Sequence, residues 1–250
     1  MARKKPTKKS TRTTRAKQKR PARAPGSAAY YREAITALEE GRPKDALAAA
    51  DQLVKLDPRA SCFTVRGLAR RGTGDLPGAL ADLDHAVALE PRLPGARDAR
   101  ALVYFDLLRW EEARDELSQY LELRGTPDTD FLHLRLWLVR TQLREPKADA
   151  RLRVRAALVA ESTEPAREWW GTIASHLLGD LSLADLRAKA STPEQRCEAN
   201  FFAGARCFVL GDEAGARESF ERCIGQGVTA FTEHQSAVAL AAALSPPPGS

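Results

Sequence analysis

The sequence predicts an all-α fold, a solenoid of stacked helical hairpins preceded by a disordered basic tail. Three observations lead there. A stretch of 18 residues occurs twice, 33 residues apart; small residues stand at fixed places in both copies; and apolar residues recur at helical spacing through most of the remaining chain. The first copy, G-R-P-K-D-A-L-A-A-A-D-Q-L-V-K-L-D-P, runs from Gly41 to Pro58, and the second, G-D-L-P-G-A-L-A-D-L-D-H-A-V-A-L-E-P, from Gly74 to Pro91. A period of this length means hairpins that bury their apolar faces on neighbouring hairpins rather than in one closed core.

Each fixed position has a physical reason. Gly41 and Gly74 end one helix and permit a turn that a Cβ obstructs. Ala46 and Ala79 lie early in the following helix, where a small side chain lets the two helices approach closely. Leu47, Leu53 and Leu56, and then Leu80, Leu83 and Leu89, supply an apolar stripe. Pro58 and Pro91 stop that helix and open the next unit. These residues and their spacing resemble the tetratricopeptide repeat (TPR) family. The resemblance implies a superhelix whose concave face is lined by the first helix of each hairpin, and a scaffold that binds a partner protein or peptide.

Residues 1–27 contain no large apolar residue after Met1, so nothing offsets the entropy of ordering them, and a disordered tail is expected. Their cations are Arg3, Lys4, Lys5, Lys8, Lys9, Arg12, Arg15, Lys17, Lys19, Arg20 and Arg23, which give +11 with no acidic residue, whereas residues 28–250 hold 28 basic against 33 acidic residues, a net −5. A tail of this kind neutralises phosphates without reading bases. It has no aromatic residue to stack on a base. A nucleic acid or other polyanion is therefore one candidate partner, and a purely solubilising role is the other reading.

Residues 28–124 read as three repeats. In the first, Tyr30, Ala34, Ala37 and Leu38 mark the stripe of a helix that Gly41 closes, and a second helix spans Pro43 to Leu56. The next hairpin pairs Ala60–Arg71 with Pro77–Leu89. The third is diverged: Ala113 lies 34 residues after Ala79, but the turn Leu108-Arg109-Trp110 has no glycine. Gly125-Thr-Pro-Asp-Thr reads as a linker. Residues 125–190 keep the helical period without the repeat, with helices expected near Phe131–Thr141, Ala148–Val159, Pro165–Leu178 and Leu183–Ala190. Trp137, Trp169 and Trp170 are expected as large core fillers. Residues 191–244 restore the repeat, with Thr192 as N-cap, Pro193 in the first turn and Gln195 completing a capping box. The helix Thr232–Leu244 is expected to cap the solenoid, and residues 245–250, S-P-P-P-G-S, to be disordered.

From Tyr30 to Leu244 the order of parts also resembles a bacterial TPR branch typified by the new lipoprotein I family. The resemblance rests on Trp169-Trp170-Gly-Thr-Ile-Ala-Ser-His-Leu-Leu-Gly179 and on the last repeat, C-E-A-N-F-F-A-G-A-R-C-F-V-L-G-D-E-A-G-A-R-E-S-F. It implies an adaptor for cell-envelope peptidoglycan hydrolases. The chain departs from that branch at its start, where Ala2 to Gly26 has no apolar run and the first cysteine is Cys62. A cytoplasmic location is the expectation if Met1 is the true start.

Nothing in the sequence has the form of a catalytic site. His85, His133, His176 and His234 are scattered, and no nucleotide-binding glycine motif occurs. No membrane span is expected, because no window approaches 18 uninterrupted apolar residues. Cys62, Cys197, Cys207 and Cys223 lie in apolar helical patterns and read as buried free thiols. Neither an enzyme nor a bound cofactor or metal is expected. The candidate site is the concave groove. By the TPR resemblance, Tyr31, Ile35, Leu38, Thr64, Leu68, Arg71, Asp98, Leu102 and Phe105 point into it and suit an amphipathic helix or extended peptide, unless they pack on the next hairpin. Arg140, Arg144, Arg151, Arg153 and Arg155 form a second basic feature, with a solvated face as the simpler account.

Overall fold

The computed structural model describes residues 26–124, 130–160 and 164–245, and among them there are α-helices and no strands. Three hairpins come first: α1 (Ser27–Glu39) with α2 (Pro43–Leu56), α3 (Ala60–Thr73) with α4 (Leu76–Leu89), and α5 (Pro94–Asp106) with α6 (Trp110–Arg124). The irregular middle holds α7 (Asp130–Gln142), α8 (Ala148–Ala160), α9 (Pro165–Leu177) and α10 (Leu183–Lys189). A last hairpin, α11 (Pro193–Val209) with α12 (Glu213–Ile224), is followed by α13 (Thr232–Ala243). Helices within a hairpin pack against each other, and α2 and α4 each pack on the first helix of the next unit.

Local chemistry starts and stops these helices. Proline occupies the first turn of α2, α4, α5, α9 and α11, where its missing N–H has no intrahelical partner to lose. Asp75 and Asp212 cap α4 and α12 by accepting from the backbone N–H groups of Gly78 at 3.0 Å and Gly215 at 2.9 Å. Thr192 caps α11, accepting from Gln195 N–H at 3.2 Å. The box is not reciprocal, because the Gln195 carbonyl accepts from Ser191 N–H at 2.9 Å instead of from Thr192.

The interhelical turns explain the diverged third repeat. Gly41, Gly74 and Gly211 turn with φ of +66°, +85° and +84°, and Leu108 takes the same place with φ +59°. A left-handed L-residue costs about 1–2 kcal/mol. The Leu108 side chain packs against the main core, which offsets that cost. Close helix approach is equally regular: a Cβ on Gly67 would lie 2.8 Å from Leu83, and one on Gly204 would lie 2.8 Å from Phe220.

The N-terminal repeats are held by several small clusters of Ala, Val and Leu. From α5 onward the core becomes continuous, with Phe105, Trp170, Phe201, Phe202 and Phe220 all fully buried. Trp137 and Trp169 are buried there too, and their indole N–H groups donate to Asp149 at 2.8 Å and Glu198 at 2.6 Å.

Helix α13 covers α11 and α12, as a terminal cap does, and it also reaches back to α5. Arg71 of α3 donates from Nε to Asp106 of α5 at 2.7 Å, and from its terminal nitrogens to Gln235 at 2.8 Å and Ser236 at 2.9 Å on α13. Ser236 Oγ donates to Asp106 at 2.6 Å, and Arg135 of α7 donates to Glu233 at 3.0 Å. The Arg71 and Asp106 side chains are only 2% and 1% exposed. Thr229, in the loop before α13, donates from Oγ1 to the Gly41 carbonyl at 3.2 Å, tying the first turn of the chain to its last helix.

Asp106→Ala leaves the Arg71 guanidinium buried among neutral partners. It should cost about 3–5 kcal/mol, lowering Tm by roughly 10 °C. The double replacement Arg71→Met with Asp106→Leu should cost less than Asp106→Ala alone. Chemical and thermal denaturation of the three variants checks both statements.

Candidate functional site

The first helices α1, α3 and α5 stack side by side, and the structure divides the nine groove residues into two sets. Tyr31 is 37% exposed, and Ile35, Leu38, Leu68 and Asp98 are half-buried. Ile35 and Leu38 rest on Ala34, Ala49, Ala50 and Val65, while Leu68 rests on Leu83 and Val103. The other four are enclosed. Thr64 donates to the carbonyl of Ala60 in its own helix at 2.9 Å, and Leu102 is buried. Arg71 is taken up by Asp106 and α13. Phe105 lies edge-on to Trp110 at 5.4 Å, with the Arg135 guanidinium 5.2 Å from its ring centre.

Two cavities border this face. One, of about 590 Å³, opens beside Tyr31 between Arg32, Leu53, Arg59 and Ser61. Arg59 makes a bidentate pair at its mouth, donating to the two Asp57 oxygens at 2.7 and 2.6 Å. The other, of about 380 Å³, is what α13 leaves of the groove, and Pro43, Leu76, His234, Val238 and Ala242 line it. The α13 residues had no signal in the sequence as groove residues. The contacts of α13 with Arg71, and of the loop before it with Gly41, span more than 150 positions of chain, beyond the reach of any helical periodicity. The tail cations from Arg3 to Arg23 lie outside the described residues.

Several arginines of the body are committed to pairs across helix seams. Arg66 donates to both oxygens of Asp82, at 2.9 and 2.6 Å, and Arg97 and Arg100 share Glu116. Asp82 and Glu116 are buried, so these acids belong to the seams between the two helices of a hairpin and not to a solvated face. Of the second basic feature, Arg140 and Arg151 lie 3.5 and 3.6 Å from Glu145, which Arg114 also approaches at 3.1 Å, while Arg153 pairs with Asp180 at 2.6 Å. Burial, with Arg151 and Arg114 nearby, holds Arg140 below its usual range.

Several further titratable groups lie wholly or partly buried. Cys62, Cys197 and Cys223 are buried free thiols, and Cys207 is half-buried. The Cys197 and Cys223 sulfurs lie 2.8 Å apart across α11 and α12, and that hydrogen bond together with burial drives the Cys223 thiol upward. Burial depresses His176 and His234. Among the described residues no group of three or more His, Cys, Asp or Glu is placed to hold a metal ion, and no helix is long and apolar enough to cross a membrane.

No known family model matches the chain, and no curated protein matches it. Solved structures do. A tetratricopeptide repeat protein from Parabacteroides merdae superposes with a TM-score of 0.50 at 15% identity, over 86% of this chain and 86% of its own. TTC0263, a thermophilic TPR protein of Thermus thermophilus, matches at 20% identity and a TM-score of 0.48, over 86% of this chain and 99% of its own. A chain of the Naa15/Naa10 complex bound to HypK-THB matches at 18% identity and a TM-score of 0.47; the match covers 86% of this chain and 34% of that one. At these identities the likeness is one of fold. The chain is an all-α, TPR-type helical solenoid.

Glu198 yields a pH dependence. Burial pushes its carboxyl up to about 7, against the lowering effect of the Trp169 hydrogen bond. A raised acid favours the folded state while both states are protonated. That contribution is lost as pH rises from the unfolded value of 4.5 through 7. Relative to Glu198→Gln, the wild type should therefore lose about 3 kcal/mol across that interval. The depressed histidines act oppositely, costing stability as pH falls below 6.5. Urea denaturation of both proteins from pH 4 to 8 measures the Glu198 contribution as their difference.

Proposed function

We propose that the chain is a non-catalytic binding scaffold, and that the uncovered strip formed by Tyr31, Ile35, Leu38 and Leu68 on α1 and α3 takes an amphipathic helix or extended peptide of another protein. The observation that carries this reading is the partial exposure of these apolar and aromatic side chains on the first helices of two consecutive hairpins, with Tyr31 at the mouth of the 590 Å³ cavity. Asp98 supplies a polar edge on the next helix. Thr64, Arg71, Leu102 and Phe105 serve the scaffold itself and contribute only through the shape they hold. A photo-crosslinking residue at position 31 of the full chain should capture a discrete partner in the native cell. The same probe at Leu210, 59% exposed in the turn after α11, should not. Tyr31→Asp should weaken the isolated complex about tenfold or more. Equal capture from both positions excludes the strip.

A second contact is favoured by the charge split, since residues 1–27 hold 11 cations and no acid. In this reading the segment binds a polyanion, nucleic acid first. Full-length protein should then bind duplex DNA or RNA with affinity that falls on the order of 10³-fold between low and physiological salt. Residues 28–250 should show no such binding, and equal binding by that fragment removes the tail from the account.

A further inference from the structure

Among the described residues many arginines pair with carboxylates at helix seams, but at the junction of α10, α11 and α12 arginines outnumber them. Arg187 of α10, Arg196 of α11 and Arg222 of α12 line one cavity of about 350 Å³, together with Asn200 and Gln226. The amides orient the guanidinium groups rather than neutralise them. Arg187 Nε donates to the Asn200 carbonyl at 2.9 Å, and Arg196 Nε donates to the Gln226 carbonyl at 3.1 Å. Each amide is itself held by backbone, since Asn200 Nδ2 donates to Arg196 O at 2.7 Å and Gln226 Nε2 donates to Arg222 O at 3.1 Å.

Charge is not balanced there. Glu218 Oε1 accepts from Arg222 Nε at 3.0 Å and lies 3.9 Å from Arg187. Among the described residues it is the carboxylate within ion-pair distance of Arg187 and Arg222, and none lies within that distance of Arg196. Glu194 feels the charge of Arg196 but lies beyond that distance. Arg187 is held below its usual range by burial and then by Arg222, as expected of a desolvated cation beside another cation. Arg196 Nη2 and both terminal nitrogens of Arg222 have no hydrogen-bond acceptor among the described residues. Three guanidinium groups against one carboxylate leave two positive charges and free donors from two helices around a cavity larger than a single oxyanion.

We propose that this cavity is a binding site for a phosphate monoester in its dianionic form, with the ester substituent filling the remaining volume. Planar guanidinium forks suit phosphate oxygens, and a dianion cancels the local excess. The site is separate from the α1–α3 strip and stands or falls independently of it. The phosphoryl group is the shared chemistry of a small phosphate ester and a phosphorylated side chain, and the experiment tells them apart.

Full-length protein is titrated calorimetrically at pH 8 and fixed ionic strength. The probes are inorganic phosphate, O-phospho-L-serine, and a phosphoserine peptide beside its unphosphorylated form. Saturable one-site binding of the phosphorylated probes is expected. Preference for the peptide over free phosphoserine assigns a phosphorylated side chain, and equal affinity assigns a small ester. Arg222→Gln and Arg196→Gln should each weaken binding about tenfold. Glu218→Gln removes the internal competitor and should tighten it about threefold. The Arg222 side chain is 57% exposed, so Arg222→Gln should leave the thermal transition in place and report on the site alone. Absence of saturable binding by every probe overturns the proposal. So does binding that neither arginine substitution changes.

Discussion

The structure turns on one buried polar junction, where Arg71 of α3, Asp106 of α5, Ser236 of α13 and Arg135 of α7 meet. A row of hairpins has no intrinsic reason to close, because each unit is satisfied by its neighbours. This junction supplies the reason. Its ions have left water, and they are tolerable only where every partner is in place, so the position of α13 is specified sharply. Ser236 acts as the linchpin, donating to Asp106 while accepting from Arg71 and Arg135. Once α13 is seated, the lower part of the concave face is filled by the chain itself. What remains open is the strip on α1 and α3 and the cavities at either side.

The two halves of the body reach stability by different routes. The first three hairpins approach closely through alanine and glycine, and paired charges brace them: Arg66 with Asp82 and Arg97 and Arg100 with Glu116 within a hairpin, Arg66 with Asp51 and Arg100 with Asp84 between neighbouring ones. From α5 onward, phenylalanines and tryptophans in edge-on and tilted contact provide one large core, beside the buried pairs of Arg71 with Asp106 and Arg135 with Glu233. This difference accounts for the arginine-rich body. Arginine presents a planar fork that pairs bidentately across a helix seam where lysine presents a point charge. It also makes the arginines at α10–α12 stand out, since there three of them are set against a single carboxylate, Glu218.

Helix limits were almost fully legible in the sequence, because proline, capping residues and apolar period act within a few residues of where they stand. The span Pro43–Leu56 needed no tertiary information, and neither did the placing of Gly41 and Gly74 in turns. Leu108 was legible only in part: the missing glycine was visible, but not that a leucine would accept a left-handed backbone in return for core contact. The groove was legible as a surface and not as a list of residues. Helical phase puts Tyr31, Leu68, Arg71 and Phe105 on related faces, yet it says nothing of what lies opposite them.

By itself, then, the sequence determined the helical hairpins, their repeat, and the separation of a basic N-terminal segment from an acidic body. Those properties depend on residues near one another in the chain or on composition. Tertiary structure alone decided which groove positions stay open, which acids are buried, and where arginines converge in excess of the carboxylates beside them. Each depends on contacts between different helices, from Arg66 with Asp82 at 16 positions to Arg71 with Ser236 and Gly41 with Thr229 at more than 150. Their energies are set by burial and by the pairing of charge in three dimensions, quantities that no local pattern encodes.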